Sequence, residues 1–282
     1  TVSEPRRVAW VGRDAVAGHD AVISVAVSWL QTTLLYASGR IRGCGMGDNY
    51  RRGDDSTASA MAPTRYIDVG VSAEVDPVVA AAATYDATLL VFASGRVKAL
   101  GIVSTMSSFV PAPAASTPFI DFGVDPSTDP VVHAVGWNSF FFVFARGRVK
   151  AGGNNDYSQL GMGTGSFDLL AIASAPFLDF GPEAGGDAVV QMVSSPTHSG
   201  ALFRSGRVKL WGTNSNGQLC APDTVSSLAF AADAPYLDFG IAPSIDPVVQ
   251  LASGESMTLF LFRSGRVRGC GANSQGQLGL PL

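Results

Sequence analysis

The phrase Ser-Gly-Arg-(Val/Ile)-(Lys/Arg) recurs along the chain, and no other feature restricts the fold so strongly. Its glycines are Gly39, Gly95, Gly147, Gly206 and Gly265, spaced 56, 52, 59 and 59 residues apart. Only the third copy departs, with Arg146 in the serine's place. Self-similarity at such a period marks repeated units that bury their apolar faces against one another. Around each turn glycine the same parts return. Asp-Pro-Val-Val or a variant begins at Asp20, Asp76, Asp129, Asp187 and Asp246. An apolar run follows and ends in Tyr36, Phe92, Phe144, Phe203 or Phe262. A second glycine stands past the turn at Gly45, Gly101, Gly153, Gly212 and Gly271. After a polar loop, an aromatic-apolar-Asp-apolar-Gly segment closes the unit at 66–70, 119–123, 177–181 and 236–240.

These parts read as strands, being short, apolar and bounded by Gly, Pro, Asn and Asp. No stretch keeps a 3.6-residue period over three turns. Ser-Gly between two such runs is a two-residue hairpin. We label the strands A (Asp-Pro-Val-Val onward), B (the apolar run), C (Arg-Val-Lys) and D (the closing segment). Four antiparallel strands repeated radially make a propeller blade. The expectation is therefore an all-β chain, a single β-propeller domain over residues 1–282, with four-stranded antiparallel blades and five repeats. The phase of the ends adds to it. The chain stops at Leu282 before a strand D and begins with Val8-Ala-Trp-Val-Gly12, which matches one. From Gly265 through both ends to Gly39 is 56 residues, within the internal range. The spacing predicts a closed five-bladed ring in which the N-terminal strand completes the last blade and removes an open edge.

Trp211-Gly-Thr-Asn-Ser-Asn-Gly-Gln-Leu219 and Cys270-Gly-Ala-Asn-Ser-Gln-Gly-Gln-Leu-Gly279 resemble the regulator of chromosome condensation repeat. Asn154-Asn-Asp-Tyr-Ser-Gln-Leu-Gly161 is a weaker copy, and His198-Ser199 also resembles that family. The first copy has Met46-Gly-Asp-Asn-Tyr-Arg-Arg-Gly53 instead, and the second has lost the motif between Ile102 and Phe109. The family usually has seven blades, so five repeats are a departure. The resemblance implies a propeller that acts by binding other proteins. Members include an exchange factor for the small GTPase Ran, chromatin binders and a plant light sensor. The last depends on a dense tryptophan cluster, which four separate Trp do not supply.

In an up-and-down blade the A–B and C–D loops share one face. The C–D loops are long, at roughly 46–65, 102–118, 154–176 and 213–235, and long loops on a rigid scaffold are where binding concentrates. Ten residues before each turn glycine stand Trp29, Tyr85, Trp137, Pro196 and Glu255. That phase places them at the A–B turns, near the axis of this face, where large aromatics suit partner anchoring or sugar stacking. Tyr50, Arg51 and Arg52 of the first C–D loop are candidates for the same surface. A basic stripe also repeats: Arg40, Arg96, Arg148, Arg207 and Arg266 follow the turn glycine, and Arg42, Lys98, Lys150, Lys209 and Arg268 stand two further on. Pairing with Asp68, Asp121, Asp179 and Asp238 on strand D is the favoured reading, over a belt for anions.

Composition narrows the function. A chain that is 46% hydrophobic and 15% charged is not disordered. Its net charge of −4 shows no basic excess, so nucleic acid is not expected as a partner. No apolar run is long enough to span a bilayer, so no membrane insertion is expected. Three cysteines, an odd count, argue against a disulfide framework and suit a reducing compartment such as the cytoplasm. Cys44 and Cys270 hold equivalent positions in neighbouring blades, too far apart to bridge, and Cys220 lies in a loop. His19, His133 and His198 show no metal-ligand spacing, and no nucleophile elbow or phosphate loop occurs. No catalytic residue, metal or cofactor is expected. The sequence points to a non-enzymatic protein-interaction module or scaffold subunit. Alternatives are a carbohydrate-binding propeller lectin, a structural component of a large assembly such as a virus particle, an enzyme inhibitor, and a guanine-nucleotide exchange factor-like regulator.

Overall fold

Five antiparallel sheets follow one another along the chain in this computed structural model, which describes residues 20–28, 31–45, 65–85, 87–101 and 113–279. The first holds β1 (Val22–Val27), β2 (Gln31–Tyr36) and β3 (Ile41–Gly45). The second holds β4 (Val78–Ala83), β5 (Ala87–Phe92) and β6 (Val97–Gly101). The third holds β7 (Val131–Gly136), β8 (Ser139–Phe144) and β9 (Val149–Gly153). The fourth adds β13 (Ser227–Leu228) to β10 (Val189–Ser194), β11 (His198–Phe203) and β12 (Val208–Thr213). The fifth holds β14 (Val248–Ser253), β15 (Met257–Phe262) and β16 (Val267–Gly271). The innermost strands β1, β4, β7, β10 and β14 pack in succession, and an apolar core fills each space between consecutive sheets. This is radial packing of blades, as the repeat predicts. The strand expected to complete the last blade, Val8–Gly12, lies outside the described residues.

The turn motif is the joint between blades. Asp76 accepts the Ser94 N–H at 2.8 Å, its hydroxyl at 2.8 Å and the Arg96 guanidinium at 2.7 Å. The pairs Arg40–Asp20, Arg148–Asp129, Arg207–Asp187 and Arg266–Asp246 repeat this at 3.2, 2.6, 3.1 and 2.7 Å. Gly95 takes a left-handed φ of 80°, and a Cβ there would sit 2.1 Å from Cβ of Pro130 in the next blade. The Gly95 carbonyl accepts the N–H of Val131 in that blade at 3.2 Å. The Asp-Pro-Val and Ser-Gly-Arg phrases are thus two halves of one contact.

The acids of strand D are therefore not the arginines' partners. Each turns back on its own backbone: Asp68, Asp121, Asp179 and Asp238 accept the N–H of Gly70, Gly123, Gly181 and Gly240 at 2.8, 2.7, 2.8 and 2.7 Å. These Asx turns also shorten strand D. Only single ladder bonds remain, from Ile67, Ile120, Leu178 and Leu237 N–H to the carbonyls of Ile41, Val97, Val149 and Val208 at 2.9, 2.9, 2.8 and 2.9 Å. The segment's aromatic instead packs edge-on against the end of strand B, as in Phe92–Phe119 and Phe144–Phe177, with ring centroids 5.1 and 5.5 Å apart. The turn arginine stacks on its other side, with Arg96 over Phe119 and Arg148 over Phe177 at 3.9 Å. Lys98, Lys150 and Lys209 point inward and are buried. Lys150 donates to the carbonyls of Phe122, Ile172 and Ala173 at 2.7, 2.8 and 2.9 Å. Burial lowers the pKa of all three lysines.

The cysteine expectation is corrected too. Cys220 and Cys270 form a disulfide with Cα atoms 5.4 Å apart, and Cys44 is free. Cys220 lies on the C–D loop of the fourth blade, which leans onto strand β16 of the fifth. An odd count shows only that one thiol is left over. Disulfides form where thiols are oxidised, so the reducing compartment loses the support of that count.

Candidate functional site

The A–B hairpins end in tight, self-satisfied turns. Thr84 closes one: its N–H and hydroxyl donate to the Ala87 carbonyl at 2.8 and 2.9 Å. Ser195 closes another, its N–H donating to the His198 carbonyl at 3.0 Å while its Oγ accepts the His198 N–H at 3.0 Å. Trp137 N–H donates to the Ser139 carbonyl at 3.0 Å, and Gly254 N–H to that of Met257 at 2.9 Å. The tips are also tied to one another: Tyr85 N–H donates to Trp137 O at 3.2 Å, and the Thr197 hydroxyl to Glu255 O at 3.2 Å.

These ties bring four of the five phase-selected positions together. Tyr85, Trp137 and Glu255, from the second, third and fifth blades, line one cavity of about 270 Å³ with Ser194, Ser195, Pro196, Ser253 and Gly254. The Tyr85 and Trp137 rings are 6.2 Å apart and inclined at 45°. Both are half-buried, and Glu255 is exposed. Trp29, Tyr50, Arg51 and Arg52 lie outside the described residues. The serines and Gly254 were missed by the sequence reading. They stand one and two places before the selected positions, so the same phase would have found them.

A larger space of about 560 Å³ lies on the opposite face, beside Arg40, Tyr66 and Asp68. Related gaps recur at Arg96 with Phe119 and at Arg207 with Tyr236. It therefore belongs to the repeat's joint. The axial cavity draws on different residue types from the second to fifth blades, as a specific site does.

Beneath it runs a hydrogen-bond chain. Ser195 Oγ is 2.6 Å from His198 Nδ1, and His198 Nε2 is 2.9 Å from Thr258 Oγ1, which donates to Gln218 O at 3.0 Å. The network assigns the proton to Nε2, leaving Nδ1 to accept from Ser195. Burial pushes the His198 pKa down to about 4, so the ring is neutral near pH 7. A threonine, not a carboxylate, holds the far nitrogen, and Ser195 is buried. The chain joins the fourth blade to the fifth. Among the described residues no group of three or more His, Cys, Asp or Glu is placed to hold a metal.

The Gly-Gln-Leu phrase fastens the loops around this face. Leu160, Leu219 and Leu278 N–H donate to the Oδ1 of Asn155, Asn214 and Asn273 at 2.8, 2.9 and 2.9 Å. Gln159 reaches the Pro196 carbonyl of the next blade at 3.2 Å.

Residues 248–277 match the family described as the regulator of chromosome condensation (RCC1) repeat. The fold agrees with solved RCC1 structures. Yeast RCC1 (Prp20) in a crystal structure bound to Kap60 superimposes with a TM-score of 0.74 at 21% identity, over 92% of this chain and 58% of that one. The chain has the fold of the RCC1 propellers and carries one matched repeat of that family. The fold is shared with human WBSCR16, at a TM-score of 0.71, 20% identity, and coverage of 92% and 64%. A further structure of Prp20p from Saccharomyces cerevisiae, reported with its binding to Gsp1p and histones, gives 0.72 at 22% identity, covering 92% and 59%. Among curated relatives, the secretion-regulating guanine nucleotide exchange factors of Bos taurus and Mus musculus are 31% and 30% identical over 131 residues. The match spans 25% of the length of each of them and covers 46% of this chain.

Proposed function

We propose that this RCC1-type propeller is a protein-interaction module that meets its partner through the face carrying the A–B and C–D loops. One observation carries the reading: Tyr85, Trp137 and Glu255 come from three blades and converge on one axial cavity. Aromatic anchors beside a shaped pocket are what concentrates binding energy at an interface. The module acts by binding rather than by making or breaking bonds. A scaffold role follows from the same face.

The test is affinity capture with the whole chain, comparing wild type with the double variant Tyr85→Ala, Trp137→Ala. A stoichiometric protein retained by the wild type and lost by a folded double variant supports the reading. Equal retention refutes this choice of face. Glycan-array binding without any protein partner would favour the lectin instead.

A second reading, a guanine-nucleotide exchange regulator, is favoured by the names of the curated relatives. Nucleotide release from a panel of small GTPases tests it. Acceleration by the wild type and loss in the double variant would place exchange on this face.

A further inference from the structure

The axial cavity offers acceptors and aromatic faces but few donors. Its three serines have already committed their hydroxyl protons. Ser194 Oγ donates to Ser139 O at 3.3 Å, Ser253 Oγ to Ser194 O at 3.2 Å, and Ser195 Oγ lies 2.6 Å from the accepting His198 nitrogen. Ser195 Oγ also accepts the His198 and Thr197 N–H groups at 3.0 and 3.3 Å, so it is fully spent, whereas Ser194 and Ser253 have lone pairs left. Most backbone amides are spent as well: Tyr85, Trp137, Ser195 and Gly254 N–H all donate to carbonyls of the hairpins, and Pro196 has none; the Glu255 amide and the Trp137 indole N–H are the donors that remain. Among the described residues Glu255 is the one charged residue lining the cavity, and it makes no ion pair with any of them. Two rings inclined at 45° flank the opening.

A site of acceptors, one carboxylate and two π faces matches a donor-rich cation. Volume narrows it further. About 270 Å³ falls below the range of roughly 300–1,000 Å³ usual for drug-sized ligands, and suits a single side chain. A guanidinium combines what the walls ask for: a flat face to lie on Trp137 or Tyr85, and a fork of N–H groups for Glu255 and the serine oxygens.

We propose that the axial cavity receives an arginine side chain of the protein partner, stacked on the Tyr85–Trp137 pair and held by Glu255. This rests on the protein-interaction reading and names the chemistry of the partner's anchor.

The test uses the folded chain labelled with 15N and the peptide acetyl-Gly-Gly-Arg-Gly-Gly-amide. Matched peptides carry lysine or citrulline, the uncharged counterpart of arginine. The arginine peptide is expected to give saturable shifts at the Trp137 indole and the Glu255 amide, at least fivefold tighter than either counterpart. Glu255→Gln, which leaves both rings in place, is expected to weaken it at least fivefold, and raised salt to weaken it further. Equal binding of the citrulline or lysine peptide overturns the assignment, as does an unaffected Glu255→Gln variant or no shift at Trp137. The same variant separates this from the broader reading. If Tyr85→Ala, Trp137→Ala loses the captured partner while Glu255→Gln keeps it fully, the face stands and the arginine falls. If both variants keep it, the reading of the face falls as well.

Discussion

Replacing Cys220 by glycine tests how the fourth and fifth blades are held. Cys220 has a left-handed φ of 53°, which a side chain resists. The equivalent motif residues Gly161 and Gly279 have φ of 72° and 70°. Glycine is thus the residue the loop's backbone asks for, and cysteine there serves the bridge to Cys270. The bridge closes a segment with a sequence separation of 50 residues. By the chain-entropy relation, such a loop stabilises the oxidised fold by about 4 kcal/mol. The glycine relieves about 1 kcal/mol of backbone strain and gives back most of it as entropy of the unfolded chain. The net loss for Cys220→Gly is therefore about 3–4 kcal/mol under oxidising conditions. For 282 residues that corresponds to about 5–7 °C in melting temperature.

Thermal unfolding with and without a phosphine reductant makes the comparison. Reductant should lower the wild-type midpoint by that amount and leave Cys220→Gly unmoved. Under reductant the variant should equal the wild type or exceed it slightly. Because a repeat's stability is a sum of neighbour terms, hydrogen exchange should rise first in β14, β15 and β16. A variant that melts with the oxidised wild type, or a midpoint that reductant lowers equally in both, would refute the assignment of this stability to the bridge.

Other positions separate conformational strain from crowding and burial. Gly95→Ala should cost about 2–4 kcal/mol, since φ is 80° and the new Cβ meets Pro130 at 2.1 Å. Gly265→Ala should cost only about 1 kcal/mol by denaturant titration, because its φ is 83° but no described atom lies within 4 Å. Stability should fall with acid through His198, whose pKa is about 4 folded against 6.5 as a free side chain. Between those values the unfolded chain takes up the proton and the native one does not. The stabilisation is complete above about pH 6.5 and shrinks toward pH 4, by roughly 3 kcal/mol in all. His198→Gln, copying Gln31, which donates to Thr88 at 2.8 Å in the second blade, should flatten that slope in urea titrations across pH. The remaining slope belongs to His133, whose pKa burial also lowers, and toward pH 4 increasingly to Asp20, Asp76 and Asp246, whose hydrogen bonds and arginine partners hold their carboxyls below the usual value. Lys150→Met should cost about 2–4 kcal/mol in the same titrations by stranding three carbonyls. A neutral outcome would mean that the buried ammonium contributes nothing net.

The blade architecture was legible because its joint is spelled in residues that only one geometry accommodates. A turn glycine that also touches the next blade cannot drift: Gly39, Gly95 and Gly206 abut a proline there and Gly147 abuts Ala188. The ion pairing was misread for the opposite reason. Two sets of aspartates recur with the same period, and periodicity cannot choose between them. Register does: β4 and β5 run antiparallel, which sets Asp76 directly beside the hairpin that carries Arg96. The site was half legible. Aromatic positions stand out by phase, whereas Ser194, Ser195 and Ser253 look like ordinary hairpin ends until their hydrogen bonds show which way they are spent. The disulfide depends on one blade's loop leaning on the next, a tertiary fact, yet a trace of it was present. A residue that replaces a motif glycine at positive φ needs a compensating contact. At the seam between the third and fourth blades, Gly161 leaves room for Trp211, whose Nε1 donates to the Gln159 carbonyl at 2.9 Å. One seam further on, Cys220 and Cys270 stand at those same two positions. The gap between blades recurs and has to be filled, but packing dictates only its size. An indole hydrogen-bonded across it and a covalent bridge are two answers to one space.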